Sequence, residues 1–219
     1  MKVLELFSGT GSVGKVCKKK GWDVVSVDLI FESTHKVDIL KWDYKKYDKN
    51  EFNIIWASPV CTEYSHLKKC WLGREFKDGT IYTEEVREQK MKESDLLVLK
   101  TLEIIKYFNP EFWFIENPET SEMKDRHMMK GLPFYIVDYC KYSDWGYRKR
   151  TRIWTNNKNF KPLLCKKDCE NIVTIEKKGK ITKKHCNECS RNNTQFERYR
   201  IPEKLIESLF ENIENENEE

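Results

Sequence analysis

The chain has 219 residues, 39% hydrophobic and 13% aromatic, enough apolar material to bury one core with a minor appendage and too little for two full domains. Although 35% of residues are charged, no stretch reaches the roughly 18 to 20 apolar residues that a bilayer span needs, so a membrane-spanning chain and a wholly disordered one are both excluded. Met1-Lys2 leads straight into a strand-like run in place of a signal peptide, and eight cysteines without one read as reduced thiols, metal ligands or a nucleophile. The expectation is a soluble, intracellular, cytoplasmic monomer with no membrane partner. A net charge of +4 allows a nucleic-acid partner, and its distribution favours one: lysines and arginines crowd residues 141 to 200, including Arg148-Lys149-Arg150-Thr151-Arg152.

In chain order, Val3 to Phe7 is a short apolar run that stops at Ser8-Gly9-Thr10-Gly11, after which Val13, Val16 and Cys17 recur at helical spacing. Gly21 closes that helix, and Val24 to Val27 forms a second strand ending at Asp28, the pattern of a parallel crossover unit. Val37-Asp38-Ile39 follows, then a buried run from Asn53 to Ala57 that ends at Ser58-Pro59-Val60-Cys61. Polar loop material extends to about Thr83. A long helix is predicted from Glu84 to Phe108 with Leu96, Leu99, Leu102, Ile105 and Phe108 as its inward stripe, ended by Asn109-Pro110. Phe112 to Ile115 reads as a strand halted by Glu116-Asn117-Pro118, and Tyr135 to Tyr139 and Arg152 to Trp154 as two more. Strands alternating with helices, with polar groups just past the strand ends, predict a doubly wound α/β sheet whose site lies along its carboxyl edge.

The expected organisation is a catalytic core over 1–155, a small lysine-rich, cysteine-bearing module over 156–195, a helix over 196–213 carrying Leu205, Ile206, Leu209 and Phe210, and an acidic tail over 214–219. Within the core, Gly9-x-Gly11-x-x-Gly14 lies between strand and helix, where backbone amides can approach an anionic ligand. Asp28 stands where it can accept from ribose hydroxyls, Phe7 could cover an adenine, and Asp38 could meet the adenine amine. The glycine spacing alone suits NAD, FAD or S-adenosylmethionine.

Cys61 follows a proline-bearing turn that would project its sulfur over the cofactor edge, the position a nucleophile requires, and cationic neighbours favour the reactive thiolate. Arg148, Arg150 and Arg152 alternate along a strand and so share one face, placed to supply that field or to hold phosphate or a carbonyl oxygen. Glu116, after four apolar residues, is expected partly desolvated, where a neutral carboxyl can donate a hydrogen bond. These groups suit one reaction: a thiolate added to carbon 6 of a pyrimidine makes carbon 5 nucleophilic toward a methyl sulfonium, and a carboxyl at ring nitrogen 3 stabilises the charge that develops.

Leu6-Phe7-Ser8-Gly9-Thr10-Gly11, Ser58-Pro59-Val60-Cys61-Thr62-Glu63-Tyr64-Ser65, Phe114-Ile115-Glu116-Asn117 and Arg148-x-Arg150-x-Arg152, in that order, resemble the cytosine carbon-5 DNA methyltransferase family over residues 1 to about 155. The resemblance implies a Rossmann-like core with a mostly parallel sheet and helices on both faces, S-adenosylmethionine as donor and DNA as substrate. It implies Cys61 as nucleophile, Glu116 on the cytosine edge, and Arg150 or Arg152 holding base and thiol. Phe7, Gly9, Thr10, Gly11, Asp28, Asp38 and Pro59 are the implied cofactor contacts. The chain departs from the family pattern at Val60, which separates Pro59 from the cysteine, at Thr62 and Pro118, and at Arg148, where the family has glutamine. An RNA (tRNA) cytosine methyltransferase and a catalytically weakened binding protein are the alternative readings.

Cys165-x3-Cys169 and Cys186-x2-Cys189 form two close pairs whose spacing suits a structural zinc ion, with His185 able to replace one cysteine. A module this small has little core and would gain its folding energy from the metal.

Overall fold

A computed structural model describes residues 1–177, 179–186 and 194–216. Seven strands form one sheet: β1 (Lys2–Leu6), β2 (Asp23–Asp28), β3 (His35–Lys36), β4 (Ile54–Ala57), β5 (Phe112–Pro118), β6 (Phe134–Asp138) and β7 (Arg150–Thr155). Their order is β3-β2-β1-β4-β5-β7-β6, all parallel except β7, which runs antiparallel to both β5 and β6. The chain reverses direction across the sheet between β1 and β4, the crevice where open α/β sheets bind ligands.

Both faces of the sheet are covered, which is why its central strands read as unbroken apolar runs. Val3, Ile54, Trp56, Phe112 and Phe114 face α1 (Ser12–Lys19) and the last helix; Leu4, Leu6, Ile55, Ala57 and Ile115 face α2 (Glu84–Phe108). The carboxy-terminal segment is two helices rather than one, α3 (Gln195–Tyr199) and α4 (Glu203–Glu216), because Ile201-Pro202 interrupts the backbone donors between them. Leu205, Ile206, Leu209, Phe210 and Ile213 on α4 are fully buried against the sheet. Two further strands, β8 (Ile172–Lys177) and β9 (Lys180–His185), make a separate antiparallel hairpin. Among the described residues no helix is long and apolar enough to cross a membrane.

Two further features differ from what the sequence pattern predicts. The bounds of α2 are as predicted, with Thr83 Oγ1 accepting from the Val86 N–H and Asn109 adopting a left-handed cap at φ 45°. Its buried stripe is Arg87, Met91, Asp95, Val98, Thr101, Ile104 and Phe108, while Leu96 and Leu99 are exposed. The helix is rotated because Asp95 must face inward, where it accepts from Tyr64 Oη at 2.8 Å and from Arg126 Nε at 3.0 Å. Finally, Glu116, Asn117 and Pro118 do not halt β5 but complete it, paired in register with Ile153, Arg152 and Thr151.

Candidate active site

The turn after β1 is built from left-handed residues: Phe7 at φ 55°, Gly9 at 50° and Gly11 at 65°. Glycine adopts this conformation freely, whereas an aromatic residue does so at a cost that the surroundings must offset. Asp28 supplies part of that support, its Oδ2 accepting from the Gly9 N–H and its Oδ1 from the Ile30 and Phe31 N–H groups, each at 2.8 Å. Beneath the loop, Glu5 accepts from the first-turn N–H groups of α1 at Val13 (3.1 Å) and Gly14 (3.0 Å). Burial pushes the Glu5 carboxyl up to about 7, against the pull of those two amides. Gly14 is required by this carboxylate, since a Cβ there would lie 2.7 Å from Glu5 Oε2.

A cavity of about 730 Å³ opens between this turn and the loop after β4, within the size range of small-molecule sites. At one end stand Phe7, Ser8, Gly9, Thr10 and Asp28; at the other Pro59, Val60, Cys61, Glu116 and Lys149. Arg198 and Tyr199 of α3 also line it, and the Tyr199 ring meets Phe31 edge-on at 6.4 Å. Ser8 Oγ and Asn117 Oδ1, both buried on its walls, have no partner among the described residues, which leaves acceptors for a polar ligand. A second cavity, about 1030 Å³, lies between α4 and the 140–145 loop; it is larger but holds neither the half-buried thiol of Cys61 nor Glu116.

The thiol loop is fixed from below. Asn117 Nδ2 donates to the Pro59 carbonyl at 2.9 Å, so the turn is held in place even though the half-exposed Val60 stands between Pro59 and Cys61. Glu116 is 6% exposed and accepts from Tyr139 Oη at 3.0 Å, with Lys149 Nζ at 3.6 Å from the same oxygen. Burial raises the Cys61 thiol above its ordinary range, Lys149 pulls it down, and Glu116 pushes it up again.

Lys149 therefore occupies the place for which the arginines are expected. Arg150 makes a two-pronged pair with Asp138 (3.0 and 2.8 Å), Arg152 another with Glu119 (2.7 and 2.9 Å), and Arg148 approaches Asp138 at 3.8 Å. None of the three is among the residues lining the cavity, and neither is Asp38, whose Oδ1 accepts from the Leu40 N–H. β7 begins at Arg150; Arg148 and Arg150 both turn to Asp138, while Lys149 between them lines the cavity. Lys149 and Tyr139 carry no local sequence signal, since each acquires its role from Glu116, far along the chain.

In the cysteine-bearing module, Cys165 and Cys169 lie together as the spacing predicts. Their neighbours are His185 and the buried Cys140, and all four ligand atoms fall within 4.8 Å of one another. Cys186 stands apart, exposed, with its sulfur 3.7 Å from the Gly146 carbonyl; Cys189 lies outside the described residues.

No family model matches the chain. Among solved structures, that of Entamoeba histolytica methyltransferase EhMeth superposes with a TM-score of 0.51 at 13% identity, over 75% of this chain and 55% of that one. The S. pombe Dnmt2 methyltransferase gives 0.45 at 16% identity, over 75% and 51%. The chain thus spans about half the length of these structures, and the first shows a shared fold. Much nearer in sequence is a protein of Frog virus 3 (isolate Goorha) described as a "Probable DNA (cytosine-5)-methyltransferase", 39% identical over 219 residues that cover 96% of this chain and 99% of the viral protein. At that identity over nearly the full length of both, the chain belongs to the DNA (cytosine-5)-methyltransferase family.

Proposed function

We propose that this protein transfers a methyl group from S-adenosylmethionine to carbon 5 of cytosine in DNA, with Cys61 as nucleophile. The observation that carries the reading is the convergence of Cys61, Glu116 and Lys149 on the same cavity as the glycine turn. Bound at that turn, S-adenosylmethionine supplies an electrophilic methyl group on a sulfonium.

The chain's own groups do the rest. Ser8 and Asp28 offer acceptors to a ligand on the glycine turn, and Phe31 and Tyr199 offer it aromatic faces. Lys149 favours the thiolate of Cys61, whose sulfur bonds to carbon 6 of the ring and pushes an electron pair toward carbon 5. Glu116, oriented by Tyr139, holds a proton at ring nitrogen 3, where negative charge would otherwise build up. After carbon 5 has gained the methyl, its proton leaves to a base and the carbon–sulfur bond breaks. The products are 5-methylcytosine, S-adenosylhomocysteine, a proton and the original thiol.

A stacked base hides carbons 5 and 6, so the target must be flipped out or already unpaired. The cavity mouth suits such a strand: Leu67 (79% exposed) and Trp71 (36%) present apolar surface on its rim, and Arg198 adds a cation. In this reading residues 1–155 together with α4 form the catalytic body, and 156–195 the module that meets DNA.

Trapping with 5-fluorocytosine tests the proposal, since fluorine at carbon 5 cannot leave as a proton and the adduct persists. A covalent complex with DNA is expected, dependent on cofactor and absent in Cys61→Ala. Trapping in Cys61→Ala at the wild-type level overturns it. Parallel arms with duplex DNA, single-stranded DNA and transfer RNA identify the polymer.

A further inference from the structure

The four-residue cluster beside β6 has a geometry that ordinary thiol packing does not require. Cys165 Sγ lies 3.6 Å from Cys169 Sγ and 3.6 Å from His185 Nε2, and Cys169 Sγ lies 3.5 Å from the same nitrogen. A disulfide would need the sulfurs at about 2.05 Å. In a tetrahedron with metal–sulfur bonds of about 2.3 Å and a metal–nitrogen bond of about 2.05 Å, sulfur–sulfur edges are about 3.75 Å and sulfur–nitrogen edges about 3.55 Å. The observed edges agree with these, and Cys140 Sγ closes the fourth corner within 4.8 Å of the others.

The surroundings point the same way. Cys140 follows β6, Cys165 and Cys169 lie in the loop between β7 and β8, and His185 is the last residue of β9, paired with Ile172 at the base of the hairpin. An isolated two-stranded hairpin is marginal in water, and this one has almost no core: residues 180–183 are exposed, Ile181 at 71%. Its base is nonetheless tightly fixed. Asn171 donates from Nδ2 to the carbonyls of Cys140 (3.0 Å) and Ser143 (2.8 Å), and the Cys165 N–H donates to Asp138 Oδ2 at 2.8 Å. Such hydrogen bonds around a ligand set orient the ligands.

We propose that Cys140, Cys165, Cys169 and His185 bind one structural zinc ion, which clamps the basic β8–β9 hairpin to the corner of the sheet that carries Tyr139. Three thiolates and an imidazole are a soft donor set that selects zinc over magnesium or calcium, and four protein ligands leave no open position for a substrate. The site is independent of whether the chain methylates DNA, because metal content is read without activity.

The test is zinc analysis of protein purified without chelators. One equivalent is expected in the wild type and in Cys186→Ser, with loss to below a tenth of an equivalent in Cys140→Ser and His185→Ala. Limited trypsin digestion should then cut the hairpin at Lys180, Lys183 and Lys184 after chelation, while the zinc-loaded protein resists. If the Cys140 variant fails to fold, cobalt-exchanged wild-type protein replaces it, and X-ray absorption should count three sulfurs and one nitrogen. A wild type with less than a tenth of an equivalent, loss of zinc in Cys186→Ser, or a shell of four sulfurs overturns the proposal.

Discussion

Lys149→Met removes the positive charge beside Cys61 and Glu116 while keeping a straight apolar stem over the Tyr139 ring, whose centroid lies 4.9 Å from the amine. Two unit charges 3.6 Å apart, the Lys149–Glu116 separation, attract by about 4 to 5 kcal/mol at an effective dielectric of about 20. The lysine side chain is 22% exposed and so partly screened by solvent, and its separate pull on the Cys61 thiolate is taken as about 1 to 2 kcal/mol, the size of about one pKa unit. Burial already raises the thiol, and losing the cation raises it further. Less thiolate is then present at a given pH, and the ascending limb of the rate–pH profile moves to higher pH. Single-turnover methyl transfer at neutral pH should fall about 5- to 30-fold and recover as pH rises, with cofactor affinity unchanged. Peptide-resolved alkylation of Cys61 should slow in parallel, a readout that needs no substrate. If the wild-type and variant rate–pH profiles superimpose, Lys149 does not act on the sulfur and the electrostatic reasoning fails.

Tyr139→Phe deletes the donor that holds Glu116 and leaves the ring in place, so kcat should fall about 5- to 30-fold, for about 1 to 2 kcal/mol of lost hydrogen bonding, while the cofactor Kd stays put; an unchanged kcat refutes the orienting role. Gly14→Ala should cost about 1 to 3 kcal/mol, because its Cβ meets a carboxylate already tied to two amides; thermal denaturation reads this as about 2 to 4 °C per kcal/mol, and an unshifted Tm would show that Glu5 can move aside. The Glu5 carboxyl should titrate by carbon NMR near 7, and a midpoint near 4.5 would contradict its burial. Since its folded value is raised, Glu5 contributes stability that is fully present below about 4.5 and lost as pH climbs to about 7; at about 1.4 kcal/mol per pH unit this is about 3 kcal/mol, visible as a decline in Tm across that window.

The strands and the ends of α2 could be read from the sequence because their causes are local. A strand buried on both faces must be apolar at consecutive positions, as Ile54 to Ala57 are, and a helix needs a cap such as Thr83 and a stop such as Asn109-Pro110 wherever it packs. The face that α2 buries is not a local matter. Hydrophobicity alone turns Leu96 and Leu99 inward, whereas the fold turns Asp95 inward because Tyr64 and Arg126 wait there.

The same physics divides the site. Cys61, Glu116 and the glycine turn stand at or near strand ends, which chain order makes visible. Lys149 and Cys140 do not: each becomes functional through a group more than 20 residues away, Glu116 in one case and Cys165 in the other, brought close by β5 and β6 flanking the antiparallel β7. Two consequences of that strand follow. Its Arg150 and Arg152 are held by Asp138 and Glu119, while Lys149, just before it, lines the cavity with the thiol; and its return past β6 sets Cys140 beside the cysteine pair. One reversed strand thus positions both the charge beside the nucleophile and the fourth corner of the tetrahedron.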